Sequence, residues 1–402
     1  MFKIFNKDTF KNDILFVLMG FFVFSSLSTT IMQDYLNFPI SLPELLLIPF
    51  FFLLRKKITT IEFKSRHLFI TITILLLLLG IGLVYDEFSL YGMLSSTRSW
   101  FYLFVCMLAF SRPNQISNND LMWLSFGSIL AWLVDSLMNY QKTIAFAAVD
   151  EQFLTYGLML AVPVFLSLTI NKSYYILSLI GFLIISSIVV FAGIRRLLIV
   201  LLLSIITTII LSLIRKKKRV FSYTFFIILG SAIIISVLPI IKEYVYQTSS
   251  VMYYRVFQRT ENFLESGDSG SRGDESRKRH LNAFFDNIED YTLPRGMVSP
   301  KTKQGMTTGT FNDYPIYQLS WIFGWPIAFL ILSYFFRVLF LNLRKYNRKN
   351  DEAAFLSVNC IMVMFMLLFL EGTYIEYPYA TPITGVLLGR AILNSKYTNI
   401  IM

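Results

Sequence analysis

The sequence predicts an all-α polytopic membrane protein, with about twelve transmembrane helices and one large external loop between helices 9 and 10. Three observations carry that expectation. Of the 402 residues, 55% are hydrophobic and only 15% charged, with a mean hydropathy of +0.60; soluble chains are about 45–50% apolar and about 25% charged. The apolar residues fall into runs near 20 residues, the length that crosses a hydrocarbon core of about 30 Å. Lys and Arg are concentrated in alternate connections between those runs. Aromatics at 16%, including 39 Phe, exclude intrinsic disorder.

The runs read as spans at 14–33, 38–54, 67–85, 96–110, 121–140, 153–170, 174–193, 197–214, 220–241, 315–341, 353–370 and 380–395. No small-residue cleavage site follows the first, and another span comes at once, so it does not read as a cleaved signal peptide. With the N-terminus inside, twenty basic residues fall on the cytoplasmic side. They are Lys3, Lys7, Lys11, Arg55, Lys56, Lys57, Lys64, Arg66, Arg112, Lys172, the run Arg215 to Arg219, Arg344, Lys345, Arg348, Lys349 and Lys396. The short outer connections hold four: Arg98, Lys142, Arg195 and Arg196. The positive-inside tendency therefore predicts both termini in the cytoplasm.

Three segments follow: spans 1–9 over 1–241, the external loop over 242–314, and spans 10–12 over 315–402. The loop holds ten basic residues, which does not oppose the orientation, since long segments cross regardless of charge. Within it, Tyr254–Leu264 and Arg277–Ile288 have helical apolar spacing, with Leu281, Phe284, Phe285 and Ile288 on one face. Gly267–Gly273 separates the two.

Several chemistries are excluded. No Gly-rich phosphate loop ends in Lys-Ser or Lys-Thr, and no HExxH or paired-Cys metal site occurs. No metal and no cofactor are expected. Cys106 and Cys360 lie in apolar runs and read as packing residues. The net charge of +11 reflects the cytoplasmic loops, not a nucleic-acid partner. His67 reads as interfacial and His280 as a solvated loop residue.

The outer arginines are the informative feature. Arg98, Arg195 and Arg196 sit at or just inside the outer ends of spans, with Arg195-Arg196 forming the turn between the seventh and eighth. An Arg within a span costs about 2.5–3.5 kcal/mol on insertion scales, so it should face a polar cavity or a partner; snorkelling to headgroups is the alternative. The loop adds Arg255, Arg259, Arg272, Arg277, Arg279 and Arg295. Planar guanidinium groups suit phosphate oxygens, so this outer cluster suits a lipid with a phosphate or pyrophosphate head. Asp135 and Glu44, near outer span ends, read equally as functional acids or structural ion pairs. Glu371 and Glu376 read as solvated acids of the last outer loop.

Four patterns, in order, resemble the bacterial O-antigen polymerase and O-antigen ligase superfamily, including Wzy-type polymerases. They are Phe191-Ala-Gly-Ile-Arg195-Arg at a helix start, then one large external loop, then Arg279-His-Leu-Asn-Ala-Phe-Phe-Asp-Asn-Ile running to Leu293-Pro-Arg-Gly296. The last is Asn312-Asp313-Tyr-Pro-Ile-Tyr317 with Gly324, opening the next span. The resemblance covers residues 190–330 and implies a metal-independent glycosyltransferase of the multi-span, GT-C-like class, in the bacterial inner membrane. It would join undecaprenyl-pyrophosphate-linked glycans for O-antigen, lipopolysaccharide or another surface polysaccharide, on the periplasmic face. Its implied partners are the lipid-linked donor and acceptor, membrane lipids and a chain-length regulator membrane protein.

Carried over by position, Arg195 (or Arg196) and Arg279 would bind the donor's pyrophosphate. Arg98, Arg196, Arg272, Arg277, Arg295 and Tyr317 are further candidate contacts to pyrophosphate or glycan. The ligase branch carries His-Asn where this chain has Asp313-Tyr314, which favours polymerase over ligase. Asp313, opening a helix, can be the base for the acceptor hydroxyl or an ordinary helix cap; both readings stand. A flippase or transporter of the same lipid-linked sugars is the competing class.

Overall fold

The computed structural model describes residues 7–22, 46, 100–108, 116–138, 159–170, 175–192, 195–214, 288–296, 315–349, 351–370 and 380–396. It also describes parts of 73–84, 239–247, 253–265 and 282–286. Among these residues the chain is all-helical, without strands. The longer helices are α1 (Lys7–Phe22), α2 (Asn118–Met138), α3 (Val162–Ile170), α4 (Tyr175–Ala192) and α5 (Arg195–Ile214). There follow α6 (Pro315–Phe323), α7 (Trp325–Lys349), α8 (Glu352–Leu370) and α9 (Ala380–Lys396). One of them, α7, is long and apolar enough to cross a membrane.

Local chemistry sets the helix starts. At α2 the Ser117 N–H donates to Asp120 Oδ2 (2.8 Å) and the Asp120 N–H returns to Ser117 Oγ (3.1 Å), a capping box. At α8 the Ala354 N–H donates to Asp351 Oδ1 (2.9 Å), while Lys345 Nζ lies 3.0 Å from Asp351 Oδ2. Burial alone would raise the Asp351 carboxyl. The Ala354 N–H and Lys345 outweigh it and hold the group below its usual range. Arg348 and Lys349 close α7, where cations suit the negative end of the helix dipole.

Side-chain bonds show how the helices run. Asn342 Nδ2 donates to the Ala391 carbonyl (2.9 Å) and Lys345 Nζ to that of Asn394 (3.5 Å), so α7 and α9 are parallel. Asn119 Nδ2 meets Asp13 Oδ1 (3.1 Å) near the starts of α2 and α1. Ser178 Oγ meets Met122 Sδ near the starts of α4 and α2. Arg390, near the end of α9, donates to Asn118 Oδ1 at the start of α2. Asn394 Nδ2 reaches Ser357 Oγ (2.8 Å) near the start of α8, and Tyr346 Oη donates to the Leu211 carbonyl (3.2 Å) near the ends of α7 and α5. Ile170, closing α3, packs into the same cluster as Tyr346, Leu211 and Phe355.

One end of the bundle therefore gathers the starts of α1, α2, α4 and α8 and the ends of α3, α5, α7 and α9. It carries Lys7, Lys11, Arg344, Lys345, Arg348, Lys349 and Lys396, and we call it the basic end.

α1 and α2 cross in contact, with backbone on backbone. A Cβ on Gly127 would lie 2.0 Å from the Val17 carbonyl oxygen, and one on Gly20 equally close to that of Leu124. Small residues at a crossing let two helices approach this far.

The expected span 315–341 is corrected. It is two helices, broken at Gly324, whose φ of +76° is the left-handed conformation in which glycine ends helices. Pro326 supplies the second reason. It has no N–H for the Ile322 carbonyl, and its ring would clash with that carbonyl in a continuous helix. The first helix extends to Lys7, upstream of the expected 14, and α7 runs on to Lys349, past 341.

Candidate functional site

The break between α6 and α7 frees two carbonyls that the external loop satisfies. The Arg295 N–H donates to the Trp321 carbonyl (2.9 Å) and the Gly296 N–H to that of Ile322 (3.3 Å). The loop segment enters as a 3₁₀ turn, Ile288–Tyr291, and leaves through Gly296 at φ +78°. Clearances are tight on both sides. A Cβ on Gly324 would lie 2.7 Å from the Thr292 carbonyl oxygen, and one on Gly296 2.2 Å from that of Leu78. The sequence Leu293-Pro-Arg-Gly296 is thus a backbone plug seated in a helix break, against the helical stretch near residue 78.

Side chains reinforce the junction. Arg295 donates from Nη2 to Asp290 Oδ1 (3.1 Å) and from Nε to the Asp290 carbonyl (3.1 Å). Its guanidinium lies 5.7 Å from the Trp321 ring centre, a cation–π contact. Tyr291 is buried edge-on against Trp321 at 5.2 Å. Burial, the charge of Asp290 and the phenol of Tyr317 push the Tyr291 hydroxyl well above its usual range, so it stays protonated.

Behind α6 lies an apolar cavity of about 380 Å³, bounded by residues 100–108, α6, α7, α8 and α9. Trp100, Phe104, Phe323, Leu330, Phe335 and Phe365 supply much of its wall. Trp100 packs edge-on to Phe323 at 5.5 Å, joining the cavity to the loop junction through α6.

Of the sequence-predicted residues, Arg295 and Tyr317 come together at this junction. Arg195 and Arg196 are the first two residues of α5, so they lie in its opening turn instead of forming an interhelical turn. α5 starts opposite the basic end, as α7 does, so both arginines share an end of the bundle with Arg295. Arg98, Arg272, Arg277, Arg279 and Asp313 lie outside the described residues, as do Glu44, His67, His280, Glu371 and Glu376. In the expected amphipathic stretch, Phe285 and Ile288 are exposed.

Two residues escaped the sequence reading although each is an arginine inside an apolar run. Arg390 on α9 is buried, and its Nη1 has no hydrogen-bond partner among the described residues. Arg337 sits at the centre of α7, twelve residues from each end, and is exposed. Compared with protein-family models, curated proteins and solved structures, the chain matches none of them.

Proposed function

We propose that this chain is a membrane glycosyltransferase that polymerises undecaprenyl-pyrophosphate-linked glycans on the outer face of a bacterial inner membrane, as an O-antigen or related surface-polysaccharide polymerase. The observation that supports the reading is which end of the bundle these residues occupy. Arg195, Arg196, Arg295 and Tyr317 share the end of the bundle opposite the basic cluster. There α6 lines an apolar cavity with Leu319 and Phe323. A guanidinium junction on α6 beside an apolar chamber suits an anionic head on a long hydrocarbon tail, and Arg195 and Arg196 open α5 at the same end of the bundle.

The chemistry is a displacement at the donor's anomeric carbon. An acceptor hydroxyl forms the new C–O bond, the anomeric C–O bond to pyrophosphate breaks, and the leaving group carries away the electron pair. Fixed guanidinium groups, Arg195 (or Arg196) and Arg279, stabilise the charge that grows there. Asp313 takes the hydroxyl proton. Arg295 already holds Asp290 and Trp321, so it serves this site first by seating the loop. Pyrophosphate would have to share or displace Asp290 to reach it.

A second feature favours transfer over transport. The basic end is tied by side-chain bonds across α2, α5, α7, α8 and α9, through Arg390–Asn118, Asn342–Ala391, Asn394–Ser357 and Tyr346–Leu211. A transporter must open that end in each cycle.

The test is reconstitution. Purified protein with lipid-linked repeat units should yield a ladder of glycan lengths. Arg195→Ala and Arg279→Ala should each abolish it while the protein remains in the membrane, and Lys should restore only part, lacking the bidentate fork. A normal ladder from both alanine variants would refute the arginine clamp, and movement of unchanged substrate across liposomes would favour the flippase.

A further inference from the structure

Arg295 presents one edge of its guanidinium, the Nε and Nη2 donors, to Asp290, and Asp290 meets that edge with two different groups. Nη2 donates to the carboxylate Oδ1 (3.1 Å) and Nε to the main-chain carbonyl (3.1 Å). A phosphate takes the same edge with two of its own charged oxygens, in the bidentate geometry that a planar guanidinium favours. Such a ligand can reach the pair, whose side chains are 24% exposed for Arg295 and 42% for Asp290. Ion pairs as open as this are weak, so a multiply charged ligand competes well with the carboxylate.

The main chain of the same residue ties the plug to α6. The Arg295 N–H donates to the Trp321 carbonyl, the Gly296 N–H to that of Ile322, and the guanidinium covers the Trp321 ring. Asp290 belongs to the 3₁₀ turn Ile288–Tyr291, whose Tyr291 packs edge-on against Trp321. An anion-accessible group, a turn and a helix end therefore meet at one residue. Trp321 lies two residues from Leu319 and from Phe323, hence on the opposite side of α6. Those two line the apolar cavity. α6 thus has the loop on one face and the cavity on the other.

We propose that Asp290 is a built-in stand-in for a pyrophosphate ligand of Arg295, and that exchange of the one for the other releases the plug from α6. The guanidinium turns from Asp290 and the Trp321 ring to the phosphate oxygens. The 3₁₀ turn loses its tie to Arg295, and the N–H bonds to Trp321 and Ile322 open more often. α6, freed on its loop side, then shifts at the Gly324 break against the cavity. The proposal rests on the pyrophosphate-linked donor of the transferase reading, and adds a route by which arrival of the donor reaches a cavity-lining helix. Lipid-linked and free pyrophosphate present the same group, so the experiment tests both.

The experiment is amide hydrogen exchange, read by mass spectrometry, on the full-length protein in neutral phosphatidylcholine nanodiscs. The probes are inorganic pyrophosphate, farnesyl pyrophosphate and farnesol, against sodium chloride of equal ionic strength. Millimolar pyrophosphate should speed exchange of the Arg295 and Gly296 amides about tenfold, because opening of their bonds limits exchange. Asp290→Ala should exchange fast at these amides without any ligand and gain nothing from pyrophosphate. Arg295→Lys should respond weakly, since a point charge lacks the two-donor edge. Amides of α8 should keep their rates throughout, which separates release of the plug from loss of the fold.

A stronger effect of farnesyl pyrophosphate than of inorganic pyrophosphate supports the proposal with a lipid-linked ligand; equal effects support it with the free anion. Unchanged or slowed exchange at Arg295 and Gly296 in pyrophosphate overturns it, slowed exchange meaning that the anion seals the plug. An effect of farnesol equal to that of farnesyl pyrophosphate overturns it in favour of the tail as the trigger. Parental exchange in Asp290→Ala overturns it as well, since the carboxylate then holds nothing. Polymerisation without the exchange response refutes this proposal alone, whereas the exchange response without a glycan ladder refutes the transferase reading and leaves the latch standing.

Discussion

Replacing Gly324 by Ala should unseat the external loop. At φ +76° a residue with a Cβ costs about 1–2 kcal/mol. The new Cβ would also stand 2.7 Å from the Thr292 carbonyl oxygen and 3.1 Å from both Leu293 C and Pro294 N. These are backbone atoms, so relief requires the segment to move by about half an ångström, an overpacking cost of about 1–3 kcal/mol. Together the two effects weaken docking of the plug by about 2–5 kcal/mol. At 1.4 kcal/mol per tenfold, even the lower bound raises the population of the undocked loop about 30-fold.

Arg295–Gly296 is itself a tryptic site. Its main-chain N–H groups are bonded to Trp321 and Ile322 in the docked state, so cleavage there reads the open population. The assay is limited trypsin digestion of the membrane-reconstituted protein, with the 295/296 fragment followed by mass spectrometry. Gly324→Ala should speed that cleavage about 30-fold or more while other sites keep their rates. Cleavage at the parental rate would refute the argument that the loop is held by the helix break.

Three further outcomes are expected. Asp313→Asn should remove nearly all polymerisation with donor binding close to normal, because Asn keeps the capping ability and loses the basic carboxylate; polymerisation at the parental rate would make Asp313 a cap. Gly127→Ala should lower the thermal unfolding temperature, since helix propensity gains only about 1 kcal/mol while a Cβ 2.0 Å from the Val17 oxygen must push α1 and α2 apart; an unchanged or raised temperature would show that the crossing is not tight. Asp351 should make the hairpin of α7 and α8 acid-sensitive. Its folded pKa is depressed, so its stabilisation is present above the ordinary carboxylate range and is lost as pH falls through the folded value. Unfolding as a function of pH should show that loss in the parent and not in Asp351→Asn.

Much of the helical pattern was legible because it is one-dimensional. Apolar run length and the spacing of Lys and Arg do not depend on what packs where. They anticipate the all-helical architecture of the described residues. Gly324 and Pro326 also announced a break in the sequence. Hydropathy averages over such residues, so the run 315–341 read as one span. Arg337 and Arg390 were hidden in the same way, each diluted by its apolar neighbours.

Partnership was the part that tertiary structure alone decided. Local sequence shows that a helix broken at Gly324 leaves carbonyls without donors, but not that Arg295 and Gly296, nearly thirty residues upstream, supply the missing N–H groups. It places Arg295 among the outer arginines, but not against Asp290 and Trp321. It records Arg337 and Arg390 as identical residues in similar apolar runs. Yet one is buried against Asn118 and the other stands exposed at the middle of its helix. A residue's type limits what it can bond. Which donor meets which acceptor is set by the packing of elements far apart in the chain, and no local pattern carries that information.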